Sequence, residues 1–212
     1  VQGDNNLIMH NDATGSKNSG GIAINYGNNN VAAKNNVSYN KLSGISVYRG
    51  DNNIIEENVA QYNKQSFLYI HNGVGISIVE GSYNVIRKND VAFNHLSGIR
   101  VSNTQHNHIE ENKVYHNEKH GIEVKNNAHT NTLTRNSVHN NNVRGISIVG
   151  SNEMFLEKNS VCLNHDADIV TESSTNNYGR RNRCKTGNWD DDGTGNGCTL
   201  FCPVFSASGI SP

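Results

Sequence analysis

The apolar residues of this 212-residue chain fall into short alternating runs that return at a fixed interval. In "NHIEENKVYHNEKHGIEV", single aliphatics stand between polar residues at Ile109, Val114, Ile122 and Val124, with Asn at 107, 112 and 117. The arrangement recurs from Asn84 and Asn131, and more loosely from Asn53. Anchored on its middle Asn, it runs through Asn11, Asn35, Asn58, Asn89, Asn112, Asn136, Asn159 and Asn182, at intervals of 24, 23, 31, 23, 24, 23 and 23 residues. Alternation with a period of two predicts short strands rather than helices.

A period of this length marks a solenoid, in which each repeat buries its apolar face only against its neighbours. Two positions after the anchor stand Ala13, Val37, Ala60, Val91, Val114, Val138, Val161 and Cys184. After a glycine come Ile22, Ile45, Ile76, Ile99, Ile122 and Ile146, with Ile169 at the equivalent place after Asp168, and two positions on stand Ile24, Val47, Ile78, Val101, Val124 and Ile148. All are expected to point inward. The fold class is therefore all-β, a right-handed parallel β-helix of about eight coils stacked about 4.8 Å apart. The Asn are expected at corners, in left-handed geometry and bonded to the Asn one coil away. The Gly before each Ile is expected to supply another unusual backbone angle. The solenoid is expected over 1–183, a cysteine-rich cap over 184–202 and a tail or linker over 203–212.

Composition agrees: 38 Asn, 34% hydrophobic residues and a mean hydropathy of −0.65 suit a chain that uses Asn structurally. A net charge of −1 and a pI near 6.8 provide no field for nucleic acid or an anionic membrane. No apolar run reaches membrane-span length, and no secretory signal opens the chain. The chain reads as mature, or as cut from something longer.

The pattern N-x-I-x-x-N-x-V-x-x-N-x-x-x-G-I-x-V, over roughly Asn6 to Asn182, resembles the parallel β-helix repeats of the NosD-like and carbohydrate-binding/sugar-hydrolase group. That resemblance implies the fold. It leaves function open, because the group includes polysaccharide lyases, hydrolases, epimerases, an accessory protein of nitrous-oxide reductase and secreted surface proteins.

Departures from the repeat are where function is sought. The 31-residue interval carries an insertion with Phe67, Leu68, Tyr69 and Ile70, read either as a satellite core or as an exposed aromatic platform for a sugar or protein. Before the anchor Asn the ladder reads Lys34, Glu57, Lys88, Glu111, Arg135, Lys158 and Arg181, and its first four rungs carry opposite signs on neighbouring coils, a structural pattern that avoids like-charge contacts. Beside the Gly-Ile-x-Val strands, Ser46, Tyr48, Arg49, Ser77, Glu80, Arg100, Glu123, Lys125 and Arg144, with His120 nearby, form the candidate glycan face. Glu80 and Glu123, two coils and thus about 10 Å apart, are the nearest approach to a hydrolytic carboxylate pair. The three-Asp set of polygalacturonases and the D-P-H-D signature of alginate epimerases are missing. His106 and His108 alternate, but the other His occupy different coil positions, which argues against a converging copper or zinc site.

After Asn182 the repeat breaks, with three of the four Cys and the only Trp close together. This end resembles those of archaeal secreted β-helix proteins. Cys184 should face inward and pair with Cys198 or Cys202, leaving Cys162 to the remaining one, in an oxidising, extracellular setting. Asp190, Asp191, Asp192 and Asn196 are calcium candidates, and Asn36 heads a glycosylation sequon. At the other end, Ile22 and Ile24 are expected to be poorly covered, a template for head-to-tail assembly. Two functions follow as expectations: an extracellular, non-catalytic β-solenoid of a surface, sheath or filament that binds polysaccharide or itself, and a polysaccharide-active enzyme fragment using the Arg/Glu face.

Overall fold

The structure is a computed structural model describing residues 1–64, 73–191 and 197–202, and these wind into an all-β coil of three parallel sheets. An eight-stranded sheet runs from Leu7–Met9 to Tyr178–Arg180, a seven-stranded sheet from Ile22–Asn25 to Ala167–Glu172, and a five-stranded sheet from Val59–Gln61 to Ser160–Cys162. Seven of the expected rungs are thus complete turns, with the eighth strand of the longest sheet beginning a further one. Register is unshifted: Ile99 pairs with Ile122 and Ile122 with Ile146, so equivalent residues stack. The expected inward residues are buried, apart from Ala13, which packs half-buried at the first coil. The eight-stranded sheet adds a third inward stack through Ile55, Ile86, Ile109, Leu133 and Leu156, all 0% exposed.

The corners depart from expectation in two ways. The ladder Asn do not adopt the left-handed conformation; the residue before each one does, as at Lys34, Glu57, Lys88, Glu111 and Arg135, with φ of 54–55°. The Asn is instead reserved for hydrogen bonding inside the turn. Asn89 donates from its backbone N (3.1 Å) and its Nδ2 (3.0 Å) to Asn112 Oδ1, and from Nδ2 to Ile55 O (2.9 Å). The Gly before each Ile, such as Gly121, also lacks a positive φ. It is required by crowding, since a Cβ there would lie 2.7 Å from both Asn141 Nδ2 and Gly145 O, and against Val138.

Each ladder passes its acceptor from the following coil, so the last Asn needs one from elsewhere. Asp191 supplies it to Asn182, and Asp168 accepts from Asn164 Nδ2 at 3.1 Å. Trp189, 4% exposed, lies where Gly179 leaves the last inward position without a side chain. Cys184 bonds to Cys198 and Cys162 to Cys202, as expected of the inward Cys184, and no described cysteine is free. Cys162 is on the outer side of its strand but only 7% exposed, under the returning segment. Reduction is expected to cost about 3 kcal/mol per bridge by loop closure, read as a lower thermal midpoint with dithiothreitol; an unchanged midpoint would remove the bridges from the stability of this end.

At the first coil, Ile22 and Ile24 are 7% and 0% exposed, contrary to the expected poor coverage. The Val1 backbone adds to the strand edge there, with its amine donating to Ala23 O and its carbonyl accepting from Asn25 N.

Candidate functional site

The left-handed corner residues aim their side chains away from the coil, so equivalent ones stack along its length. At the third corner the stack is aromatic. Tyr39, Tyr62, Phe93 and His116 each precede a ladder Asn and have φ of 52–62°. Their rings stack nearly parallel, at centroid distances of 4.9, 4.8 and 5.2 Å and interplanar angles of 6°, 5° and 11°. The ladder is partly open to solvent. Its centroid spacing is that of the coils themselves, and each contact is worth about 0.5–1.5 kcal/mol beyond the area buried. Clefts border it, one of about 370 Å³ lined by Tyr62, Lys64, Phe93, His95 and Glu118, where His95 Nδ1 meets Glu118 at 2.8 Å. The sequence carried a signal for this strip, an aromatic residue directly before the third Asn in four consecutive coils, but reading the Asn positions alone passed over it.

The charged face expected on the seven-stranded sheet divides into separate groups. Ser46, Ser77, Arg100 and Glu123 occupy one register position on successive rungs. Glu123 accepts from Arg100 Nε (2.7 Å), Ser97 Oγ (2.8 Å) and Lys125 Nζ (2.9 Å). Arg49 and Glu80 stand at the corner after the strand and pair with each other, with Tyr48 and Tyr26 against the guanidinium. Glu80 and Glu123 thus stand at different register positions, Glu80 at the corner and Glu123 on the strand, and each is engaged by cations of its own. Arg144 begins its strand and pairs with Glu172.

Burial pushes the Glu123 carboxyl up, but Arg100 and Lys125 outweigh it and hold it at about 2. A folded value below the ordinary 4.5 means stability that is full above pH 4.5 and is lost as pH falls towards 2. The difference corresponds to roughly 3 kcal/mol. Glu123→Gln is expected to lower the thermal midpoint at pH 7, with the deficit shrinking below pH 4.5; a pH-independent deficit would contradict this. His120 lies half-buried beside the cluster, its Nδ1 buried with no hydrogen-bond partner. Burial, with Arg144, Lys119 and Lys125 and against Glu123, pushes it below the ordinary imidazole value.

Other expected residues are placed as follows. Phe67, Leu68, Tyr69, Ile70, Asp192 and Asn196 lie outside the described residues. Asp191 is 4% exposed and its oxygens accept from Asn182, Trp189 and Thr199, so it closes a ladder. Asp190 lines a cleft with Tyr178 and Trp189. Among the described residues no group of three or more His, Cys, Asp or Glu could hold a metal. His106 stacks on Tyr83 while His108 Nδ1 bonds Thr132 Oγ1, so these two serve different contacts. Asn36 is exposed, as its sequon requires. The charge ladder pairs between coils, Lys34 with Glu57 and Glu111 with both Lys88 and Arg135. No helix among the described residues is long and apolar enough to cross a membrane.

The family profile described as "Right handed beta helix region" matches residues 1–78 and 74–203. No curated protein matches the sequence. Among solved structures, the periplasmic alginate epimerase AlgG is similar with a TM-score of 0.70 at 20% identity, over 84% of this chain and 46% of that one. The Dettilon tailspike protein gives 0.68 at 18%, over 84% and 41%. The A-module of the Azotobacter vinelandii mannuronan C-5 epimerase AlgE4 gives 0.65 at 15%, over 93% and 59%. At these identities the likeness shows the fold, and the chain spans about half the length of the proteins it matches.

Proposed function

This chain belongs to the right-handed β-helix family, and from that premise we propose that it is an extracellular, non-catalytic β-solenoid of a surface or filament that binds polysaccharide along its side. The observation that carries the reading is the partly exposed ladder of Tyr39, Tyr62, Phe93 and His116, bordered by clefts with Lys, His and Glu. An apolar strip with hydrogen-bonding groups beside it suits a polymer whose sugar rings have C–H faces and hydroxyl edges. By their names, two of the similar structures are epimerases of alginate and mannuronan, which supports polysaccharide as the class. The two disulfides support an oxidising location. The carboxylates of the sheet face support a non-catalytic role, since Glu80 and Glu123 are both engaged in ion pairs.

Affinity electrophoresis through gels containing acidic or neutral polysaccharides tests the proposal. Retardation by at least one polymer is expected, with Tyr62→Ala weakening it by about tenfold; uniform mobility in every gel would refute it. The proposal extends to self-association through the edge strand Leu7–Met9, which pairs on one side only among the described residues. Light scattering showing a monomer at high concentration would remove that part. A second reading, the polysaccharide-active enzyme, is favoured by His120, whose neutral imidazole beside Arg144 and Lys125 has the form of a general base near cations.

A further inference from the structure

The aromatic ladder ends at Tyr39, and the corner beyond it is a glycine. Ser16 N donates to Asn40 Oδ1 (3.0 Å), which places Ser16 one coil before Asn40 and Gly15 one coil before Tyr39. Gly15 has φ of 69°, close to the 62° of Tyr39, and a Cβ built on it would meet nothing within 4 Å. One face of the Tyr39 ring therefore has no ring stacked on it, and Tyr39 is 61% exposed against 37% for Tyr62 and Phe93. A cleft of about 480 Å³ opens there, lined by Gly15, Ser16, Lys17, Tyr39, Lys41 and Lys64 among others.

The three lysines follow the ladder positions in successive coils, so they stack as rungs. Lys41 N bonds Ser16 O at 3.0 Å, and Lys64 N bonds Asn40 O at 2.8 Å. Elsewhere cations find carboxylates, as Lys34 does with Glu57 and Arg87 with Glu56, and even in the like-charged run of Arg135, Lys158 and Arg181 the first two pair with Glu111 and Glu157. Lys17, Lys41 and Lys64 form no ion pair among the described residues. Like charges on adjacent rungs repel, and an anion lying against all three relieves the repulsion.

We propose that the open face of Tyr39 and the Lys17, Lys41 and Lys64 stack form a binding subsite for an acidic saccharide unit. The C–H face of the sugar ring packs on Tyr39, and its carboxylate or sulfate lies among the ammonium groups. This subsite rests on the glycan-binding reading and adds to it a place and a charge preference.

Calorimetric titration of the 212-residue chain tests it, using a uronic-acid hexasaccharide, a sulfated hexasaccharide, a neutral cello-oligosaccharide and a single-stranded oligonucleotide. At least one acidic saccharide is expected to bind about tenfold more tightly than the neutral one, with an affinity that falls as salt rises. The tighter of the two identifies the acidic group. Tyr39→Ala should weaken binding by removing the platform. Gly15→Tyr should weaken it by extending the ladder over that face, at a corner where tyrosine is already accepted one coil on. The Lys17→Gln, Lys41→Gln, Lys64→Gln triple variant should abolish the acidic preference. Saccharide binding unchanged in both Tyr39→Ala and Gly15→Tyr would overturn the subsite alone. Absence of any saccharide binding would overturn it together with the glycan-binding reading, and tighter binding of the oligonucleotide than of every saccharide would replace it with a nucleic-acid site.

Discussion

Val114→Asp is expected to leave the chain largely unfolded at room temperature. Val114 is 0% exposed in the strand Lys113–Tyr115, stacked between Val91 and Val138. A carboxylate there would face only the aliphatic interior. The cost of burying it unpaired, added to the lost packing, is about 5 kcal/mol or more, comparable with the whole stability of an ordinary domain. A solenoid has little means to absorb the change, because each coil is supported only by the two beside it. Circular dichroism should lose its strand signal, and amide resonances should collapse towards random-coil positions. Ser137→Asp, exposed on the neighbouring strand Ser137–His139 and in register with Lys113, serves as the control and should change stability little. A Val114→Asp protein melting within a few degrees of the parent would show that this position does not face the core.

Asn112→Leu is the second large effect expected, about 3–6 kcal/mol from buried groups left without partners. Asn112 Oδ1 accepts from Asn89 N and Nδ2, while its Nδ2 donates to Ile86 O (2.8 Å) and Asn136 Oδ1 (3.0 Å). Leucine has a similar size but satisfies none of these, and water cannot reach a ladder that is 0–1% exposed from Asn89 to Asn136. Asn112→Asp should cost at least as much at neutral pH, since its carboxylate keeps the acceptor for Asn89 but sets a buried charge against the carbonyl oxygens of Ile86 and Asn136. Denaturant titration separates the cases, and a leucine variant within about 1 kcal/mol of the parent would mean that the ladder contributes little beyond shape.

These effects concern the parts that could be read from the sequence. The inward Ile and Val stacks were legible because strands alternate with a period of two and coils return at a nearly constant interval, so burial follows from position alone. Cap pairing was narrowed for the same reason, as Cys184 takes a position otherwise held by valine or alanine. Other features depend on contacts that periodicity does not encode. The left-handed residue at each corner is the one before the Asn, and residues as varied as Lys, Glu, Tyr and Phe hold it, so residue type alone gave no clue. The strand edge at Ile22 and Ile24 is met by backbone pairing from Val1, outside the repeat, and Ile8 packs against the core at this end. Glu123 was legible as an outward charge, but its enclosure comes from Arg100 and Ser97 of the preceding coil and Lys125 of its own strand.

The most direct test of the binding reading measures the polymer as well as the protein. Acidic and neutral polysaccharides are incubated with the chain, and each is followed by gel retardation and by proton NMR of its anomeric signals. Retardation of a polymer whose length, saturation and sugar configuration stay unchanged is the expected result. Shortened, unsaturated or epimerised polymer, produced by the parent chain and abolished by Glu123→Gln or His120→Gln, would contradict it and place catalysis on the seven-stranded sheet.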